Sequence, residues 1–152
     1  MNPNQIAPLL AAIASECEAR YPAEACGLIL SDAQAARFVA IPNIAGTARG
    51  SENSARTGRD GYVMDPGRVA AELETAESSG GALACIVHSH PDVGAYFSRE
   101  DREVALGGAD EPLWPGVDYL VVSCRAGRCD DARLYRWEPS IKEFQEHRIP
   151  LG

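Results

Sequence analysis

The sequence predicts a single mixed α/β domain over residues 1–152, a central sheet flanked by helices. Three observations carry that expectation. Apolar residues recur at helical spacing in two segments, short apolar runs bounded by turn residues stand between and after them, and the two kinds of signal alternate along the chain. With 152 residues, 45% hydrophobic and 24% charged, the chain has an ordinary globular composition. A chain of this size buries roughly 68–70% of its unfolded surface, so neither a disulfide nor an oligomer is required for folding.

The elements follow in order. Residues 3–20 read as a helix, because Ile6, Leu9, Leu10, Ile13 and Cys17 recur at three-to-four spacing and Asn2 or Asn4 can cap the start. Tyr21-Pro22 ends it, since the residue before proline is pushed out of the α region. Residues 25–30 form an apolar run closed by Ser31-Asp32, which suits a buried strand, with residues 38–41 as its neighbour. Residues 42–61 are rich in Gly, Ser, Asn and Arg and predict a long surface loop. Loops of that length are often functional, and this one could gate a groove or equally serve as a disordered connector. Asp65-Pro66 is an N-cap followed by proline at the first helical position. That helix should run to Glu77, bury Val69, Leu73 and Ala76, and stop at Gly80-Gly81. Residues 83–87 are a continuous apolar strand that delivers His88 at its end. A further helix begins near Ser98. Residues 117–123 and 133–137 make two more strands paired around a turn at Gly127, and residues 140–147 are expected to form a short helix.

The formal charge of −8 repels phosphate backbones and argues against a nucleic-acid partner. There is no basic, apolar leader at the start and no stretch near the ~20 apolar residues that span a bilayer. The expected location is therefore cytoplasmic, with no membrane partner. The five cysteines, Cys17, Cys26, Cys85, Cys124 and Cys129, are odd in number and contain no Cys-x-x-Cys pair, so they signal neither a disulfide framework nor a zinc knuckle. Cys26 and Cys85 sit in apolar runs and read as small buried hydrophobes. Cys124 and Cys129 flank Arg-Ala-Gly-Arg and could face each other across a hairpin, but without an export signal they read as free thiols.

The informative segment runs from His88 to Asp101. In extended backbone, residues two apart point to the same side, so His88 and His90 can aim both imidazoles at one point. Two neutral imidazoles and one carboxylate suffice to hold a catalytic zinc ion, leaving a fourth position to water. Asp101 is the natural carboxylate, because a short loop turning back brings the first turn of the next helix over the histidines. Each residue alone has an ordinary explanation. Ser98 and Asp101 fit a capping box, a single histidine at a strand end is commonplace, and Pro91 would be only a strand terminator. Their coincidence within one segment favours a metal site.

His-Ser-His-Pro, then six residues, Ser98, two further residues and Asp101, resembles the signature of the JAMM metallopeptidases, the MPN-plus or Mov34 group. The likeness runs from the first helix to the strand ending at Trp137. It implies a JAMM/MPN fold of the cytidine-deaminase-like kind, one catalytic Zn2+ held by His88, His90 and Asp101, and catalytic roles for Glu24 and Ser98. Glu24, within Tyr21-Pro22-Ala23-Glu24-Ala25-Cys26-Gly27, matches the family's upstream glutamate and would serve as general base and acid. Ser98 would donate its hydroxyl to the developing oxyanion, a contact worth about 2.7–4 kcal/mol in other enzymes. Without the likeness Glu24 would read as an exposed loop carboxylate. Glu16, Glu18 and Glu100 compete for its role: the first two lie on a helix surface, and Glu100 is too near the ligands in sequence.

The likeness also narrows the substrate to a peptide or isopeptide bond after the Gly-Gly tail of a ubiquitin-like protein. The chain resembles compact bacterial members that process sulfur-carrier proteins, in Tyr62-Val63-Met64-Asp65-Pro66 and in Val117-Asp118-Tyr119 with Leu134-Tyr135-Arg136-Trp137. The primary expectation is removal of a C-terminal amino acid or extension from such a carrier. The alternatives are an isopeptidase acting on lysine-linked conjugates of a bacterial ubiquitin-like protein, and a non-catalytic MPN-type binding scaffold. The 102–116 segment is too short for the large insertions of deconjugating relatives.

Overall fold

The computed structural model describes residues 1–47 and 57–152. The part of the expected 42–61 loop at residues 48–56, and with it any gating, lies outside the described residues. The first predicted helix is present but broken. Helix α1 (Pro3–Ile6), capped by Asn2, passes through a 3₁₀ turn at Ala7–Leu9 into α2 (Leu10–Arg20), because Pro8 falls inside the predicted segment and has no amide hydrogen to continue the ladder. Strands β1 (Cys26–Ser31) and β2 (Ala36–Ile41) follow, then α3 (Pro66–Ser78), whose N-cap Asp65 accepts from the amides of Gly67 and Arg68. Next come β3 (Ala82–Pro91), α4 (Arg99–Leu106), β4 (Asp118–Arg125), β5 (Arg128–Glu138) and β6 (Glu143–Arg148). Among the described residues no helix is long and apolar enough to cross a membrane.

The six strands form one mixed sheet in the order β2-β1-β3-β4-β5-β6. Among the described residues only β3 and β4 pair in parallel, and α4 lies in the crossover between them. Both faces are covered. Ile6, Leu10, Ile13 and Cys17 pack against Cys85, Val87, Leu120, Val122 and Leu134 on one side. On the other, Ala76, Val69 and Leu73 of α3 meet Leu28, Leu30 and Ile86, while Phe97 and Ala105 meet Tyr119, Val121 and Tyr135. Gly27 permits the close pairing of β1 with β2: a Cβ there would lie 2.5 Å from the Phe38 ring and 2.6 Å from the Val39 carbonyl oxygen.

Three expectations need correction. Strand β3 does not end at Val87 but continues to Pro91, so both histidines lie within it. Parallel pairing with β4 extends through His90 opposite Ser123 and Pro91 opposite Cys124, beyond the point where the apolar run stops. The tail expected to be helical is strand β6, hydrogen-bonded along β5 with Phe144 opposite Trp137. An exposed edge strand needs main-chain bonds more than apolar alternation, so its polar sequence hid it. The third correction concerns the cysteines. The β4–β5 hairpin turns through Ala126 and Gly127, both at positive φ, and its register sets Cys124 directly opposite Cys129. The two form a disulfide, while Cys17, Cys26 and Cys85 are free and buried.

Candidate active site

Strand β3 sits between β1 and β4, and alternation divides its side chains. Ile86 reaches the α3 and α4 side, while Cys85 and Val87 join the α2 side. His88 and His90 therefore share the face with Ile86, and Ser89 takes the other. His88 is fully buried and stacks on Tyr62 at 4.7 Å between ring centroids. The two Nε2 atoms lie 3.1 Å apart. Asp101, in the first turn of α4, places Oδ1 3.3 Å from His88 Nε2 and Oδ2 3.4 Å from His90 Nε2. The structure thus gathers the three predicted ligands into one group that could hold a metal ion.

The donor chemistry fits such an ion. His90 Nδ1 lies 2.9 Å from the Gly94 carbonyl oxygen. A carbonyl only accepts, so Nδ1 carries the proton and a neutral His90 presents the bare lone pair of Nε2 to the group. Burial alone would raise the pKa of Asp101, but the two imidazoles beside it outweigh that and hold the carboxyl well below the usual carboxylate range. Burial opposes charge on His90, yet Asp101 and the Gly94 carbonyl outweigh it and raise its pKa above the ordinary histidine value. Lone pairs and an anion that face each other at this range call for a shared cation. A tetrahedral ion with bonds of about 2.0–2.2 Å sets its donors about 3.3–3.6 Å apart, close to the spacing here.

Glu24, predicted as the base, lies just before β1 and is buried. Its position is fixed through the backbone. Ala25 N donates to Ser89 Oγ at 2.8 Å and Ser89 N to the Ala25 carbonyl at 2.9 Å, tying the segment to the residue between the histidines. Asn43 Nδ2 donates to the Glu24 carbonyl at 2.9 Å, and Glu24 N donates to the Gly58 carbonyl. Ser98 is the N-cap of α4 and forms the predicted capping box with Asp101. Glu24, His90, Ser98 and Asp101 line one cleft of about 280 Å³. A larger cavity of about 510 Å³ shares Glu24 but none of the three ligands, so the chemistry belongs to the smaller cleft. The competing carboxylates are engaged elsewhere: Glu16 pairs with Arg20, and Glu18 accepts from Cys129 N. Glu100 is exposed on the cleft rim.

Sequence reasoning assigned no task to Ser89, Asn43 or Tyr62. It also missed Asp92, which bridges the β3 exit to the β4–β5 hairpin. Asp92 accepts from Ala126 N at 2.8 Å and Tyr21 Oη at 2.7 Å, and its amide donates to the Cys124 carbonyl. Its φ of 60° marks a tight turn, a conformation in which Asp and Asn are enriched. The Asp-x-Gly spacing after Pro91 was the available signal. Ser123 is buried and holds the Val93 carbonyl at 2.7 Å, and Trp114 does not line the cleft.

Fold and site together define a mixed α/β protein that carries two strand-borne histidines and a helix-borne carboxylate as one donor set. Residues 7–137 match the family described as prokaryotic homologs of the JAB domain, and the chain belongs to that family, within the JAMM/MPN group. It is 33% identical over 130 residues to the desampylase of Haloferax volcanii, an alignment covering 86% of this chain and 79% of that one. Its fold resembles a solution structure of a protein from Salinibacter ruber, with TM-score 0.61, 24% identity, and coverage of 93% of this chain and 86% of that one. It also resembles the crystal structure of a JAB1/MPN domain protein from Archaeoglobus fulgidus, with TM-score 0.50, 15% identity, and coverage of 90% and 89%.

Proposed function

We propose that this chain is a zinc-dependent peptidase that hydrolyses the bond after a C-terminal Gly-Gly of a ubiquitin-like sulfur-carrier protein, releasing a C-terminal amino acid or extension. The observation that carries this reading is the donor triangle of His88, His90 and Asp101 beside a cleft lined by Glu24 and Ser98. Family membership and the likeness to a desampylase support its coarser part, a JAMM-type hydrolase acting on a ubiquitin-like protein.

His88, His90 and Asp101 would hold the ion. Zinc, when bound, supplies a water acidified to a pKa of about 7 and a Lewis acid for the scissile carbonyl. The remaining tasks belong to the chain. Glu24 takes the water's proton on its carboxylate and returns it to the leaving amine. Ser98 Oγ accepts from Asp101 N at 3.0 Å, so its own hydrogen is free to donate to the oxygen that becomes negative. The Gly94 carbonyl keeps His90 in the tautomer a ligand needs. A diglycine tail suits the cleft because glycine lets its backbone come close to the reacting groups.

A second reading, an isopeptidase removing a ubiquitin-like protein from lysine-linked conjugates, is favoured by the desampylase relative. Candidate carriers extended beyond Gly-Gly and lysine-linked conjugates of the same carriers, offered to the zinc-loaded protein and read by intact mass, separate the two. Release of the α-linked extension supports the first. Cleavage of the conjugate alone replaces it with the second, and cleavage of neither overturns both.

A further inference from the structure

Arg59, Asp60 and Gly61 line the same cleft as Glu100 and Asp101 of α4, and the turn Thr57-Gly58-Arg59-Asp60-Gly61 that carries them is well anchored. Thr57 N donates to Asp60 Oδ1 at 2.7 Å, Asn43 Nδ2 to the Gly61 carbonyl at 3.2 Å, and Glu24 N to the Gly58 carbonyl at 2.6 Å. The turn is thus bonded directly to the backbone of Glu24, and it sets Arg59 on the cleft with His90, Ser98 and Asp101. Arg20 and Arg68 are paired to glutamates at 2.7 and 3.1 Å. Arg59, by contrast, forms no ion pair with a carboxylate among the described residues. Among the described residues, Glu24, Asp60, Glu100 and Asp101 are the carboxylates that line the same cleft, in a protein of net charge −8. An exposed guanidinium that no described carboxylate engages is where an incoming carboxylate would be held.

We propose that Arg59 binds the α-carboxylate of the residue released from the substrate, which makes the protein selective for a short α-linked extension. This rests on the peptidase reading above and deepens it. The geometry of the substrate explains the selectivity. When one α-linked residue leaves, its carboxylate carbon lies only two bonds, about 2.5 Å, from the scissile nitrogen, on the cleft that Arg59 lines. When a lysine side chain leaves, four methylenes occupy that space and no carboxylate follows. A planar fork of donors takes a carboxylate in two parallel hydrogen bonds, which a carboxamide cannot match.

The test uses an acetylated peptide ending Gly-Gly-Ala, once with a free α-carboxylate and once as the carboxamide. With zinc-loaded protein, kcat/KM should favour the acid by roughly 10–100-fold, mainly through KM. Arg59→Gln should reduce that preference to near unity, and Arg59→Lys should keep part of it. Equal cleavage of acid and amide by the parent protein, or a preference that survives Arg59→Gln, overturns the proposal. A second arm does not depend on turnover: both peptides are titrated into the protein with binding read at the Arg59 Nε–H resonance. Tighter binding of the acid with a shift of that resonance supports the Arg59 site even if neither peptide is cut, an outcome that would defeat only the peptidase reading. Equal affinities with no shift overturn the site.

Discussion

Ser98 and Asp101 hold each other reciprocally. Ser98 N donates to Asp101 Oδ2 at 2.9 Å while Asp101 N donates to Ser98 Oγ at 3.0 Å. The same Oδ2 lies 3.4 Å from His90 Nε2, so one carboxylate starts a helix and completes the donor set. The two sequence explanations for this pair, cap or catalytic group, are therefore compatible. They can still be separated experimentally, because a cap is judged by stability and a catalytic group by turnover.

Ser98→Gly makes that separation. Glycine at an N-cap costs only a few tenths of a kcal/mol relative to serine, so chemical denaturation should show a fold of nearly unchanged stability. Loss of one oxyanion donor lowers kcat by about 10²–10³-fold. A variant with unchanged kcat would reduce Ser98 to its cap.

Asp101→Asn keeps the size and much of the capping capacity of the side chain but removes the negative charge facing His88 and His90. Changes in groups that merely support a metal cost 10–100-fold in affinity, so loss of this ligand should weaken zinc binding by at least about 100-fold. Competition against a chromogenic chelator measures it.

Glu24→Gln leaves the donor triangle untouched. The variant should bind zinc as the parent does and lose about 10²–10⁴-fold in turnover. Full activity would return the role to another group.

The cysteines give a chemical readout. Burial raises the thiols of Cys17 and Cys26 to about 12 and raises Cys85 further, so all three are protonated at pH 8 and should resist alkylation in the native protein. After denaturation without reductant, mass spectrometry should count three alkylated cysteines, and five after reduction. Opening the hairpin disulfide by Cys129→Ser should cost about 2 kcal/mol on the chain-entropy account for so short a loop.

Gly27→Ala tests how tightly β1 and β2 are joined. The added Cβ would meet the Val39 carbonyl oxygen at 2.6 Å, and backbone cannot yield as a side-chain tip can. Destabilisation of about 1–3 kcal/mol is expected in thermal or urea unfolding.

What the sequence made legible follows from how each feature is encoded. His88, His90, Ser98 and Asp101 sit within one segment, where local spacing is enough to place them together. The caps at Asp65 and Ser98 are equally local. Features set by long-range pairing were harder to read. The true end of β3 depends on the β4 main chain, β6 depends on the free edge of β5, and the cysteine pairing depends on hairpin register rather than on any cysteine motif. Glu24 lies more than sixty positions from the histidines and came from resemblance alone. The groups that tie its segment in place, Ser89 Oγ and the Asn43 amide, have no sequence signature of that task.

The central claim is that His88, His90 and Asp101 hold one zinc ion, and metal content tests it most directly. Protein purified without chelators, analysed by inductively coupled plasma mass spectrometry, should carry about one zinc per chain, and His90→Ala, which keeps the strand, should carry almost none. Absence of stoichiometric zinc from the parent protein, or equal zinc in the His90→Ala variant, would contradict the account.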